Sequence, residues 1–421
     1  MITGKGTSGV KNCLVSMNFK NINNIFRFIR LKPDHKQSHI PLNLMLTFCL
    51  IGITVLSIFT VHKLPYQPFS RTMSGATVHF ERAQVLQIQD ETLHDSDIQK
   101  GLKVGSQTLL VKIVTGEHKG ETVSATNALS TYNSVVGKVG SSLIVIVDQL
   151  DNGLFKTRVY NYNRIPYMYM MALLFFGALL LVGRKKGFMA SLGLVYTFLC
   201  IFTIFLPLIL RGYSPLVAAL ILVSLSATVT MILLNGVSKK SLCCILGTVF
   251  GVTLSGFILM LFSSFMHISG LNTGEAESLL LIGHTTGLHV RDILYSGILI
   301  TSLGAIMDIA MSIVSSLYEI QVHSPHASQK ILFQAGIHVG RDIIGTMSNT
   351  LILAFTGTSL NLLILLASYS VEYNQYMNMN STAIEITQAM AGSLALVLTV
   401  PLTAFISSHI LAKKTLEQNI L

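Results

Sequence analysis

Long apolar runs separated by short charged connections fill most of the chain. They fall at 42–61, 166–183, 188–210, 215–236, 242–266, 292–316, 342–367 and 386–411. Each approaches the ~20 residues that an α-helix needs to cross ~30 Å of hydrocarbon, so the pattern predicts about eight transmembrane helices. Between the first and second runs the pattern changes to period two. Alternating, β-branched segments at 77–86, 108–115, 121–126, 142–147 and 155–160 are separated by Gly, Asp and Asn, as in GEHKG and DNG. Five short strands in about 100 residues predict a small all-β domain, a barrel or a sandwich. The GEHKGE tip reads as a hairpin turn.

This pattern divides the chain into a basic cytoplasmic tail (1–40), a transmembrane anchor (41–61), an extracytoplasmic β domain (62–165), a seven-helix membrane domain (166–411) and a cytoplasmic tail (412–421). The fold class is therefore an all-α polytopic membrane protein with a small all-β domain between helices 1 and 2. The first run is longer than a signal-peptide core and no small-residue cleavage site follows it, which reads as an uncleaved anchor. In the tail, NFKNINNIFRFIRLK places apolar residues at helical spacing on a basic segment. It is either an amphipathic helix on anionic lipid or a solvated positive-inside tail. Met17 offers a later start.

Charge orients these spans. Arg184, Lys185, Lys186, Lys239, Lys240, Lys330, Arg341, Lys413 and Lys414 fall in one set of connections, and only Arg211 and Arg291 in the other. The positive-inside rule then puts both termini in the cytoplasm and the β domain outside. The composition agrees: 51% of residues are hydrophobic and 11% charged, against about a quarter charged in soluble proteins. The net charge of +10 is thus a topology signal, and no nucleic-acid partner is expected. Of the cysteines, four lie in apolar spans and none in the β domain, and the adjacent Cys243 and Cys244 lack metal-site spacing. His323 and His326, in the loop QVHSPHASQK, read as solvated. The chain has no Walker motif, nucleophile elbow, HExxH or dinucleotide fingerprint, so neither an enzyme nor a cofactor or metal is expected. Gly247 and Gly251 form GxxxG, the spacing of closely packed helices.

The chemistry is concentrated in two spans. Asp308 lies inside an apolar run, where a charged Asp costs about 2.5–3.5 kcal/mol, so it should face the bundle interior, a partner or water. Helical spacing aligns it with Gly304, Ser312 and Ser315. It is either an ion, proton or substrate contact, or a buried partner of Arg341 or Asn349. The next span carries Asp342, Thr346, Asn349, Thr350 and Thr356 at steps of three and four with one longer gap, and Arg341 and Asp342 are expected in its first turn, where an acid complements the helix dipole. GLHVRDI (287–293) and GIHVGRDI (336–343) echo each other, as inverted repeats of transporters do or by chance. These residues suggest a secondary transporter or permease of an unidentified small solute or ion. The alternative is a non-transporting sensor or assembly factor whose outside β domain binds a partner protein. A homo-oligomer is compatible with both. An intramembrane aspartyl protease built on Asp308 and Asp342 is disfavoured by their flanking motifs.

The segments SLGAIMDIAMSIVSSLYEI and AGIHVGRDIIGTMSNTLILAFTG resemble the signature of the YibE/F family of multipass bacterial membrane proteins. The shared features fall on Gly304, Ala305, Met307, Asp308, Ser312 and Glu319, then on Gly340, Arg341, Asp342, Gly345, Thr346, Met347, Asn349 and Thr350. MILLNG, ending at Asn235 and Gly236, supplies an earlier element. The resemblance implies an anchor, an outside β domain with a GxxKG turn, seven further spans and a bacterial cytoplasmic membrane. It implies no substrate.

Overall fold

The computed structural model describes Gly52 and residues 78–149, 155–268, 270–271, 276–369 and 371–412. The expected anchor and both tails lie outside these residues. By contacts the chain divides after Gly52, and the elements below all belong to the unit Ile53–Leu421.

The expected strands form, as β1 (Val78–Asp95), β2 (Lys103–Ile113), β3 (Thr122–Leu129), β4 (Ser142–Gln149) and β5 (Phe155–Tyr162). They close into a barrel in the order β1-β2-β3-β5-β4, which resolves barrel against sandwich. All pairs are antiparallel except β3 with β5, which are parallel through Ala125 and Thr157. A five-stranded barrel with this order has the topology of an OB-fold. Period two produces it directly: Leu109, Val111, Ile113, Ala125, Leu143, Val145 and Val147 point inward and are buried. β1 runs on to Asp95, well past the expected 86. Register shifts between Val85 and Gln87 and between Ile88 and Asp90 interrupt its alternation without ending its pairing to β2. Such bulges also bend the strand, letting it pair with β4 at one end and β2 at the other. GEHKG is the β2–β3 turn, with Gly116 and Gly120 at positive φ and the Gly120 amide donating to the Ile113 carbonyl at 2.9 Å.

Two amides inside the barrel hold the loop before β4. Gln107 Oε1 accepts from the Gly137 amide at 2.9 Å, and Gln107 Nε2 donates to the Gly137 carbonyl at 3.1 Å. Asn127 Nδ2 donates to Gln107 Oε1 at 3.0 Å and to the Val135 carbonyl at 2.6 Å. Tyr162 adds two bonds to the backbone of Val136. A buried amide left unpaired would cost about 1–3 kcal/mol, so this network fixes the loop firmly.

The helical part begins with α1 (Ile165–Cys200), a π-helical turn (Ile201–Phe205) and α2 (Leu206–Ile209). Together they run for 45 residues, roughly 68 Å if straight, far more than one crossing needs. The run is broken at Arg184, with φ 47° and ψ −127°. The Leu179 carbonyl occupies the place a Cβ on Gly187 would take, so the chain folds back there. The break falls at the Arg184–Lys186 connection expected between the second and third spans. Next come α3 (Pro215–Asn235), α4 (Lys239–Phe265), α5 (Ala276–Thr286), α6 (Val290–His323), α7 (Gln329–Thr358), α8 (Leu360–Ser368), α9 (Tyr373–Met377) and α10 (Asn380–Leu411). Among the described residues, five helical stretches, counting Ile165–Ile209 once, are long and apolar enough to cross a membrane. A sixth is added if α7 and α8, bent by 60° at Ser359, form one broken span.

α10 is the centre of the bundle, packing along α4, α6 and α7. Close backbone approach makes this possible. A Cβ on Gly247 would come within 2.7 Å of Thr403 Oγ1 of α10, and one on Gly251 would meet Thr399 Oγ1 of α10 and, at 2.7 Å, Ile306 Cγ2 of α6. On the other side Gly336 and Gly340, a second GxxxG, rest on Ala404 and Val400 of α10. The GxxxG expectation holds, and the structural use of GIHVG is this seam. Its echo at 287 differs in backbone: Gly287, at φ 73°, precedes α6, whereas 336–343 is wholly helical. The two stretches are not equivalent elements. Pro401 lies inside α10, which stays helical to Leu411.

Candidate functional site

Asp308 stands near the middle of α6, roughly 27 Å from its start and 22 Å from its end. On one side Ile306, Ile309, Ala310 and Ile313 are buried in the bundle. On the other, Gly304 and Asp308 are exposed, and nothing lies within 4 Å of where a Cβ on Gly297 or Gly304 would be. Helical period thus sorts the span as the sequence suggested, with a small-residue face that no described helix covers. Ser312 turns its hydroxyl to its own helix, donating to the Asp308 carbonyl at 2.8 Å, and Ser316 does the same to Ser312 at 3.0 Å. Among the described residues, nothing forms an ion pair or hydrogen bond with the Asp308 carboxylate. The expected pairing with Arg341 or Asn349 does not form.

α7 carries the second polar face. Arg341, Asp342, Gly345, Thr346, Asn349 and Thr350 are all exposed, while Leu332, Gly336, Gly340 and Leu351 are buried. Thr346 and Thr350 donate to the carbonyls of Ile343 and Thr346, at 3.0 and 2.8 Å. The helix starts at Gln329, not at 342, and its first turn holds no acid. Asp342 lies roughly 20 Å further along, so the dipole role expected for it is excluded. The reason is QKILFQAGIHVG, too polar to read as a span, yet helical because its glycines dock on α10 and Ser328 caps it by accepting from the Ile331 amide. α6 and α7 pack together and are joined by the short link 324–328. Measured from that link, Arg341 stands roughly 18 Å along α7 and Asp308 roughly 22 Å along α6. Both helices thus bring their charged residues to comparable heights, with the polar groups on uncovered faces.

Asn235, at the end of α3, reaches the same helix: its Nδ2 lies 3.3 Å from Met311 Sδ, one turn beyond Asp308. MILLNG therefore belongs beside α6. One acid went unread in the sequence. Glu385 was placed just before the last span, but α10 begins at Asn380 and carries Glu385 within it. An acid a few residues before an apolar run, on the same helical face, is the signal that would have found it.

Barrel, apolar helices and uncovered polar faces together define a multipass helical membrane protein with a small β-barrel ahead of its helices. The chain belongs to the family described as YibE/F-like protein, which matches residues 171–413. No match was found among curated proteins or among solved structures.

Proposed function

We propose that the protein is a secondary transporter of a small solute or ion in a bacterial cytoplasmic membrane, with Asp308 as its coupling or substrate-contacting group. It would span the bilayer eight times, with both termini inside and the barrel outside. Arg341, Asp342, Thr346, Asn349 and Thr350 would line the cytoplasmic side of the path, with Gly304 and Ser312 beside Asp308. The observation that carries this reading is the unpartnered Asp308 carboxylate on an uncovered mid-helix face. A carboxylate at that depth cannot be left to lipid tails, and a water- or solute-filled path supplies what no described side chain does. The reading is of a carrier rather than an enzyme, with lipid and solute rather than nucleic acid as partners, and it is compatible with a homo-oligomer.

The test does not need the substrate. In a chain whose native cysteines are replaced, Ser312→Cys is treated with a charged thiosulfonate in inside-out vesicles. Rapid labelling is expected, and resistance to the charged reagent with labelling by a lipid-soluble maleimide would sink the path. The same chemistry applied to Tyr132→Cys in intact cells reads the side of the barrel.

A second reading has support in one place. Phe80 and Tyr160 form an exposed edge-to-face pair on the barrel, with ring centroids 5.1 Å apart. Such a pair suits a partner-binding barrel in a sensor or assembly factor. Loss of a co-purifying partner in Phe80→Ala, with Asp308→Asn silent in cells, would favour it.

A further inference from the structure

A cleft of about 330 Å³ lies where the broken span of α7 and α8 faces α9 and α10. Ile352, Phe355, Leu362, Leu363, Ile386 and Met390 give it apolar walls, and Glu385, Thr382, Thr356 and Tyr376 its polar groups. Two of those groups lack partners. Thr382 is only 3% exposed and its Oγ1 makes no hydrogen bond, and Glu385 Oε2 is likewise buried and unpaired. The cleft lies at the 60° bend, with Ser359 and residues of both α7 and α8 in its wall. Backbone that breaks at membrane depth is tolerated where it lines a cavity.

The geometry points to a binding site for a small organic cation, its ammonium group held by Glu385 and Thr382 and its apolar body against Phe355, Leu362, Ile386 and Met390. Each alternative fails on chemistry. The size lies at the lower end of small-molecule pockets and far exceeds a bare ion. Among the described residues no three His, Cys, Asp or Glu side chains gather to hold a metal. An anion would meet Glu385, and a lipid tail would leave both Glu385 and Thr382 unpaired. A cation supplies the missing partner, and the rings of Phe355 and Tyr376 favour it further. The site stands whether or not the Asp308 path transports.

The test uses the full chain in lipid nanodiscs and labelled benzylamine, protonated at pH 7 so that its N–H groups can reach Glu385 and Thr382, in equilibrium binding. Saturable binding is expected, weakened at least tenfold by Glu385→Gln, partly kept by Glu385→Asp and unchanged by Glu372→Gln, a nearby exposed acid. Phenylacetate, of similar size and opposite charge, should not compete. No saturable binding to the unaltered chain, equal binding to Glu385→Gln, or competition by phenylacetate overturns the site. Should Glu385→Gln fail to fold, Met390→Trp decides. It fills the cleft and keeps the carboxylate, so binding must fall at least tenfold, and undiminished binding overturns the site.

Discussion

In the barrel, the buried amides of Gln107 and Asn127 are tied to each other and to the backbone of Val135 and Gly137. In the helical domain, the carboxylates of Asp308 and Glu385 have no hydrogen bond or ion pair with any described residue. Both regions place polar groups among apolar ones. The barrel ties these two amides to a loop, although Glu81 Oε2, Asn127 Oδ1 and Thr157 Oγ1 there also lack partners, whereas the two carboxylates of the bundle are tied to nothing described. A buried polar group that is paired contributes to stability. One left unpaired is unfavourable until something arrives to pair it. The contrast separates two amides that specify the shape of a loop from two carboxylates that the described fold leaves without partners.

Substitutions should divide the same way. The largest effect on folding is expected at the α7–α10 seam, where Gly340 already touches Val400. Gly340→Leu should abolish assembly, read as loss of the monodisperse peak in detergent chromatography; a normal peak would mean that the seam is not required. Gln107→Leu comes next. It strands Asn127 and the Gly137 amide, at about 2–3 kcal/mol, and hydrogen exchange at 134–138 should accelerate while exchange in α4 and α10 does not. Gly116→Ala should cost about 1 kcal/mol, because φ is +83° and the Glu81 carboxyl sits against that position. A melting temperature unmoved in that variant would show the turn to be more adaptable than its dihedral implies. The smallest effect on stability belongs to Asp308→Asn, within about 0.5 kcal/mol, since no partner is lost. The same substitution should abolish transport of whatever solute accumulates in a deletion strain. If it melts much lower than the parent chain, Asp308 is structural and the contrast collapses.

The comparison also accounts for what could be read in advance. Strands were legible because β2, β3 and β4 are short β-branched or apolar runs bounded by Gly, Asp and Asn, and their burial then alternates in the structure. β1 was legible only to its first bulge, since bulges break period two without breaking the ladder. Asp308 stood out because nothing charged surrounds it in sequence. The true start of α7 did not, because its first turns gain helicity from docking Gly336 and Gly340 on α10, a tertiary cause that no apolar run records. The bend at Ser359 is passed over: no Pro marks it, and the polar TGTS at 356–359 falls inside the span predicted over 342–367. Glu385 was lost with it, since only the bend and the longer α10 turn a boundary acid into the floor of a cleft.

The glycine seam has a mechanical consequence. Where α7 meets α10, backbone lies against Ala404 and Val400, with no long side chains reaching across from Gly336 or Gly340. Such a contact is smooth, more like a bearing than a set of meshed teeth. Sliding α7 along α10 at Gly336 and Gly340 disturbs little side-chain packing, and the knob such a shear must unseat is Leu351, which lies against Gly392 further along the same line. Since α7 carries Arg341 and Asp342, then Asn349 about 12 Å further on, and bends at Ser359 beyond it, a single glide would shift the polar face and reshape the cleft in the same stroke.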